Sequence, residues 1–510
     1  EKLSINYLGG IDAIDIVGED SPQNRGADNV AYSSQQHTLG LTYKNLFSRK
    51  GYILASLGQN FVEIDVNVYV VEDEGIHRTT YAGVNIEQET IFKSDLVYKF
   101  TPALELSAGI KLINAPNEWD YSWEGDKIYQ YGYSHDTTLV PALPITTDQF
   151  YAEYFGNTTA TIVPLQLLND EERSDSLVTQ TFRSGGIHSQ IRWKPTPLSE
   201  LTLGGRVEYN AWLEKFNFSP RFNLSQQLLH NFKINLAGGR YFQAPFYALL
   251  MSKGREGKNL DFYHADQLAL GLEYMPREDT RVTMEVYNKI FRDMPIQAIH
   301  PDTLGRDSLG NYENLGRGRS RGFEFFIQKK FSNNWYGSFS YSHSTSEGVD
   351  PRKTETVYYP WNYDYQDVLN LVGGYKIRYM DYDWYQKYKK TLFASMTSWL
   401  PLAPADEFEI SFRLRYSGGK PVTPKIYDHN IRKWYVDAQA DYNTERMDEY
   451  YRFDIMVLQR FYFEKMNLVA YWDIMNVLNR DNPWDYVYNE DGTRDIALQF
   501  KTFPVGGITL

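Results

Sequence analysis

Cysteine is absent from the 510-residue chain. That excludes disulfides and thiolate metal sites, and it leaves the compartment unread. Long apolar runs are missing too. No stretch reaches the roughly 18 apolar residues of a membrane-spanning helix, and the mean hydropathy is negative. The chain opens at Glu1 with neither Met nor a leader pattern, so it reads as a mature or partial product. Positive charge is in short supply: 52 Lys and Arg against 65 Asp and Glu give a net charge of -13. A nucleic-acid binder needs a basic footprint, so that class is excluded. The nine His are scattered, with no H-x-x-x-H pair on one element, and no metal site or cofactor is expected. No G-x-S-x-G elbow or similar signature supports an enzyme.

Aromatic residues are abundant: 41 Tyr, 28 Phe and 11 Trp, or 16% of the chain. They fall in a pattern with a period of two. Within 451–479, Phe453, Ile455, Val457, Phe461 and Phe463 share one face, while Arg452, Asp454 and Arg460 share the other. After a short break Leu468, Ala470, Trp472 and Ile474 oppose Asn467, Tyr471 and Asp473. Successive side chains of a pleated strand point to opposite faces, so this is a β-hairpin. The alternation recurs. Leu104, Leu106 and Ile110 oppose Glu105 and Lys111; Leu201, Leu203 and Val207 oppose Arg206 and Glu208. Val282, Met284 and Val286 oppose Arg281 and Glu285; Ile410, Phe412 and Leu414 oppose Arg413 and Arg415.

Most runs last about 9–13 residues, the length of a tilted strand crossing a bilayer. Strands of soluble sandwiches are typically about 5–6 residues. With one face apolar, the other charged and no covering helices, the expected fold is all-β: a transmembrane antiparallel barrel, lipid outside and water inside. Connectors alternate in length. Short ones fall at 47–51, 100–102, 195–200, 228–230, 276–280, 332–334 and 464–465. Long ones fall at 18–34, 71–88, 113–176, 242–265, 293–317, 347–365, 418–450 and 480–503. Tight periplasmic turns and long extracellular loops are expected. The scheme counts about 18 strands, from Lys2–Ile16 running outward to a short last strand, Val505–Leu510, running inward. The chain is therefore expected to be incomplete at both ends.

One short connector is replaced by a long one, 379–406. Tyr385, Tyr388, Leu392, Met396 and Trp399 repeat there at three and four residues, among Lys387, Lys389 and Lys390. This predicts an amphipathic helix at the inner-leaflet interface; an extra strand pair is the alternative.

Several segments carry a resemblance. "NLGRGRSRGFEFFIQKKFSNNWYGSFSYSHS" (314–344), "YDYQDVLNLVGGYKI" (363–377), "LRYSGGKPVTP" (414–424) and the hairpin ending in "NVLNRDN" resemble, in that order, barrel strands of TonB-dependent outer-membrane receptors. "GGRYFQAPFYALL" (238–250) resembles an outer-loop entry of that family, with Leu249 and Leu250 where an acidic residue is common. Residues 1–180 match only in pattern. The motif style and the missing cysteine resemble a Bacteroidota-type outer-membrane protein, nearer to siderophore or cobalamin receptors than to the SusC-like group.

The resemblance implies a barrel of about 22 strands with a plugged lumen. The whole chain is expected to be barrel, with the plug domain and first strands not included. It implies an outer-membrane transporter that captures a scarce ligand such as a ferric siderophore, another metal chelate or cobalamin. Its implied partners are the TonB–ExbB–ExbD system acting through the plug, outer-membrane lipid and lipopolysaccharide, and a surface lipoprotein. A glycan- or peptide-importing receptor is one alternative; a passive porin-like channel or a scaffold barrel is another. Glu105, Lys111, Arg206, Glu208, Lys233, Glu273, Arg281, Glu285, Glu324, Arg413 and Arg415 are expected to face the lumen, pairing with a plug or holding water. Ligand contact is expected from loop aromatics: Trp119, Tyr121, Trp123, Tyr129, Tyr131 and Tyr133 in one loop, and Tyr358, Tyr359, Trp361, Tyr427 and Trp434 in two others. Loop-to-loop packing is the competing role for them.

Overall fold

A computed structural model describes residues 1–17, 29–71, 77–125, 127–135, 138–141, 161–170, 173–251, 256–301, 307–353, 355–397, 400–429, 433–436, 440–489 and 492–510. Its main element is one sheet of 19 strands. One of these, Tyr358–Pro360, is three residues long. The others are numbered here in chain order. The first six are β1 Lys2–Ile16, β2 Asn29–Ser48, β3 Gly51–Val71, β4 His77–Thr101, β5 Leu104–Trp123 and β6 Ser174–Thr196. Next come β7 Ser199–Asn210, β8 Lys215–Leu229, β9 Phe232–Gln243, β10 Tyr263–Arg277, β11 Thr280–Pro301 and β12 Asp307–Ser332. The last are β13 Trp335–Val349, β14 Asp367–Ile377, β15 Glu407–Ser417, β16 Tyr450–Tyr462, β17 Asn467–Met475 and β18 Phe503–Thr509.

Each strand pairs antiparallel with the next, from β1–β2 to β17–β18. β1 and β18 are the end strands, and no ladder joins them among the described residues.

Register sorts the side chains into two faces. Leu236, Leu270, Val286 and Phe323 lie in one row across β9 to β12. One residue away, Asn235, Gly271, Glu285 and Glu324 form the next row and point to the other face. On the apolar face Leu203 and Leu268, both mid-strand, remain 53% and 51% exposed. A water-soluble sheet would cover such a band, whereas lipid leaves it as it is. On the polar face, charges pair between neighbouring strands: Arg192 with Glu105 at 2.9 Å, Arg281 with Glu273 at 2.7 Å, and Arg413 with Asp454 at 3.0 Å.

The tight turns at one end use local chemistry. Asn333 and Asn334 adopt φ of 52° and 70°, a left-handed conformation that Asn tolerates better than most residues. The neighbouring β10–β11 turn is tied to β12, because Lys329 Nζ and Ser332 Oγ donate to Asp279 Oδ2 at 2.8 and 2.6 Å.

The other end differs from the sequence expectation. Several of the expected long loops are largely strand. β5 and β6 stay in register up to Trp123 opposite Ser174, and β11 and β12 stay paired, across three register shifts, up to Pro301 opposite Asp307. About ten residues suffice to cross a bilayer. The ladder bonds continue beyond that length because nothing at the lipid boundary stops two β-prone segments from pairing. Lys127–His135, Thr138–Pro141 and Thr161–Asp170 form a small separate sheet above them.

The β9–β10 connector does not project outward. Its short helix α1, Tyr247–Met251, brings Leu249, Leu250 and Met251 against Phe182 and Ala115, which sit on the polar face of β6 and β5. The Tyr247 hydroxyl donates to Glu89 Oε1 at 2.6 Å. Burial, and then this hydrogen bond, push that hydroxyl far above the usual phenol range, so it stays the donor. Leu249 and Leu250 thus occupy an apolar cluster, which accounts for the absence of an acidic residue there.

The β14–β15 connector is helical, as its spacing predicts, but in two pieces: α2, Asp383–Tyr388, and α3, Leu392–Thr397. Trp399 lies outside the described residues. Among the described residues no helix is long and apolar enough to cross a membrane, which says nothing of a β-barrel.

Candidate ligand site at the outer mouth

The polar face reaches the end with long connectors at β15 and β16. Three loops are locked together there by backbone contacts and a buried ion pair. In "SGGKP", a Cβ on Gly418 would lie 2.1 Å from the Tyr365 carbonyl oxygen, and one on Gly419 1.7 Å from that of Met447. Only glycine permits this approach of three chains. Arg446 Nη2 donates to Asp364 Oδ2 at 2.7 Å, and Asp364 also accepts from the Ser346 backbone N–H at 2.7 Å. Arg352 pairs with buried Asp350 at 3.1 Å and lies 3.8 Å from the Tyr442 ring centroid.

These contacts frame a cavity of about 530 Å³. Tyr363, Tyr365 and Trp484 supply aromatic surface, and Arg415 and Lys420 supply cations. Lys420 is paired with Asp485 at 2.8 Å. Arg415 has no hydrogen bond or ion pair among the described residues. Its cross-strand neighbour is another cation, Arg452. Arg452 itself donates to Asp454 at 2.9 Å, and the Asp454 carboxylate, 1% exposed, also accepts from Arg413 and from the Asn476 backbone N–H at 2.9 Å. Asp454 is already engaged and Arg415 has no paired carboxylate, while exposed Asp448 lines the same cavity with no cation paired to it among the described residues.

The aromatics anticipated from sequence are placed differently. Trp119 lies at the margin of the apolar cluster under α1, with its indole N–H buried and without a hydrogen-bond partner. Tyr121 and Trp123 continue the β5 ladder. Tyr129, Tyr131 and Tyr133 are on the strand Lys127–His135, and their side chains lie outside the described residues. Tyr358 carries Arg319 over its ring at 3.9 Å, and Tyr359 packs on Tyr442 at 5.1 Å. Trp361 lies over Gly318 and Gly348 and meets Phe291 edge-on at 5.2 Å. Tyr427 and Trp434 are 5.3 Å apart, and the Trp434 indole donates to the Asn489 carbonyl at 2.8 Å. For these last five residues the contacts seen are within and between loops and wall. Tyr363, Tyr365, Trp484 and Lys420 were not singled out by sequence reasoning. The adjacent "SGG" was the available signal, because paired glycines mark a close approach.

Of the charges expected to face the lumen, Arg206 pairs with Glu208 at 2.8 Å and Lys233 with Glu273 at 3.4 Å. Glu285 and Glu324 stand directly opposite each other on β11 and β12, with no cation paired to either among the described residues. No group of three His, Asp or Glu suited to a metal ion occurs among the described residues.

A family model described as TonB dependent receptor-like, beta-barrel, matches residues 4–477. The chain belongs to the TonB-dependent receptor-like β-barrel family. The family is one of outer-membrane receptors rather than enzymes. The apolar face is the lipid face of the barrel wall, and the polar face lines its lumen. Solved structures share the fold. The outer membrane transporter YddB from Escherichia coli is 12% identical at a TM-score of 0.62, over 99% of this chain and 66% of that one. The pyoverdine receptor FpvA from Pseudomonas aeruginosa PAO1, bound to pyoverdine, is 13% identical at 0.60, over 94% and 62%. The siderophore receptor PiuA from Acinetobacter baumannii is 14% identical at 0.56, over 99% and 71%. The chain spans about two thirds of the length of these structures. No curated protein matches it.

Proposed function

We propose that this protein is the wall and outer mouth of an active importer, and that the mouth captures an anionic metal chelate of the siderophore type. The observation that carries the reading is Arg415, an unpaired cation lining a cavity of about 530 Å³ beside Tyr363, Tyr365 and Trp484. A volume of roughly 300–1,000 Å³ suits a small-molecule ligand. Flat aromatics give contact area at low entropy cost, and an unpaired guanidinium rewards an anion. The printed names of FpvA and PiuA, a pyoverdine and a siderophore receptor, add weight to this ligand class. In this reading a plug domain and further strands of the whole protein close the lumen, and TonB drives release inward. Glu285 and Glu324, opposed and unpaired, then offer the plug a place for a cation.

The test is titration of the protein in lipid vesicles with ferric catecholate and ferric hydroxamate chelates, following tryptophan fluorescence. Saturable quenching that weakens at least tenfold in Arg415→Ala supports the site. Equal binding by Arg415→Ala and the parent removes it. Steady ionic conductance across a planar bilayer, with no chelate binding, would instead identify a passive channel.

A further inference from the structure

The short-turn end of the barrel carries one element unlike the others, the 378–406 connector with α2 and α3. Its position is fixed by what it covers. Gln459 of β16 alternates with Phe453, Ile455 and Val457 and therefore belongs to the lipid face. It is fully buried, and its Nε2 donates to the Leu400 and Ala403 carbonyls at 2.9 and 2.7 Å. Phe408, on the lipid face of β15, lies 6.1 Å from the Tyr379 ring, which stacks on buried Tyr385 at 6.0 Å. Lys389 closes the connector onto buried Asp406 at 2.7 Å. The connector is thus folded back over the outside of the wall at its periplasmic end.

Its own surface is apolar where water would be a poor neighbour. Phe393 and Leu402 are 66% and 74% exposed, and Trp384 and Met396 are also exposed. Phe463 and Met466, in the neighbouring β16–β17 turn, extend the patch. Lys387 and Lys390 are exposed and make no ion pair among the described residues. Two helices of six residues are far shorter than the roughly 12–15 needed to be stable alone, so packing has to hold them. The wall provides one side.

We propose that the inner-leaflet phospholipids provide the other: the 378–406 turn is a lipid-embedded wedge, with Phe393 and Leu402 among acyl chains and Lys387 and Lys390 at lipid phosphates. The patch is continuous with the lipid face of β15 and β16, and its cations match the charge of the headgroups. Only the outer-membrane placement of the barrel is assumed, so the proposal stands or falls independently of the ligand.

The chain has no cysteine, so single labels are clean. Nitroxides at Phe393→Cys and Leu402→Cys are compared with Leu203→Cys on the lipid face and Glu278→Cys in a short turn, in vesicles of phosphatidylethanolamine and phosphatidylglycerol. Heat-dependent gel migration verifies that each barrel is folded. Labels at 393 and 402 are expected to collide with oxygen and to be shielded from a water-soluble nickel chelate, as at 203. Nickel access equal to that at 278 overturns the proposal, as does shielding from both reagents, which would mean a protein neighbour. In the Lys387→Gln, Lys390→Gln double variant the label at 393 should move toward water; an unchanged depth overturns the role of the lysines.

Discussion

Arg415 and Arg452 stand directly opposite each other on β15 and β16, two cations in one register row of the lumen wall. Like charges so placed repel. The arrangement persists because Asp454 neutralises one of them and the outer-mouth cavity opens beside the other. Structure and function meet at this point. The carboxylate network ties the wall together and leaves Arg415 without a paired carboxylate among the described residues.

The two sides of that network respond differently to mutation. Asp454→Ala removes the acceptor of two half-buried arginines and of the buried Asn476 N–H; Arg413 keeps Asp473 at 3.3 Å, while Arg452 loses its carboxylate. The expected cost is about 1–3 kcal/mol. Arg415→Ala relieves repulsion and should change stability by no more than about 0.2–1 kcal/mol, in the stabilising direction. Urea unfolding in bilayers measures both, and the reverse order would sink the assignment of Arg415 as the surplus cation.

The lipid face gives a second contrast. Leu203 is half exposed at mid-strand, while Arg206 on β7 faces the lumen and pairs with Glu208 at 2.8 Å. Leu203→Arg is expected to cost about 2–4 kcal/mol. Arg206→Ala loses only a partly exposed pair and should cost less than about 1 kcal/mol. Equal losses in folding titrations would mean that the two faces are assigned wrongly.

Those faces were legible in the sequence, because period-two alternation is a local property. Ile410, Phe412 and Leu414 against Arg413 and Arg415 needs no knowledge of partners. The outer mouth was not legible in the same way. Arg446 finds Asp364 across 82 positions, and Arg352 finds the Ala440 carbonyl across 88; no spacing rule reports such pairings. Strand ends escaped for another reason. The roughly ten residues of a bilayer crossing set a minimum, and β5 continues to Trp123 with its ladder intact. At Trp434 the sequence left ligand contact and loop packing both open, because an indole that caps a loop carbonyl, as this one does, has the same sequence signature as one that meets a ligand. The 378–406 helices were visible from their three- and four-residue spacing, but the burial of Gln459 beneath them was not.

The inward-folded β9–β10 loop should be separable from the wall. Leu250 is 1% exposed, in the cluster with Phe182 and Ala115. Leu250→Ala is expected to weaken the docking of this loop by about 2–5 kcal/mol. Hydrogen exchange should then rise at α1 and stay slow in β5 and β6. Faster exchange across all three would show that the cluster stabilises the barrel itself.

The β10–β11 turn carries the pH prediction. Hydrogen bonds from Lys329 first, then from Ser332 and Thr280, hold the Asp279 carboxyl far below the usual carboxylate range. A group whose folded pKa is depressed adds stability above its unfolded pKa, about 3.9 for Asp, and loses it as pH falls through the folded value. Protection of the Lys330 N–H, which donates to the Asp279 carbonyl at 2.8 Å, should therefore start to fall once pH drops below about 3.9 and go on falling toward the depressed value. Lys329→Met removes the leading cause of the shift, so protection should be lower near neutral pH and should depend less on pH below about 3.9. Exchange rates at Lys330, corrected for intrinsic chemistry, decide the point. An equal pH dependence in parent and variant would mean that Lys329 does not hold the turn.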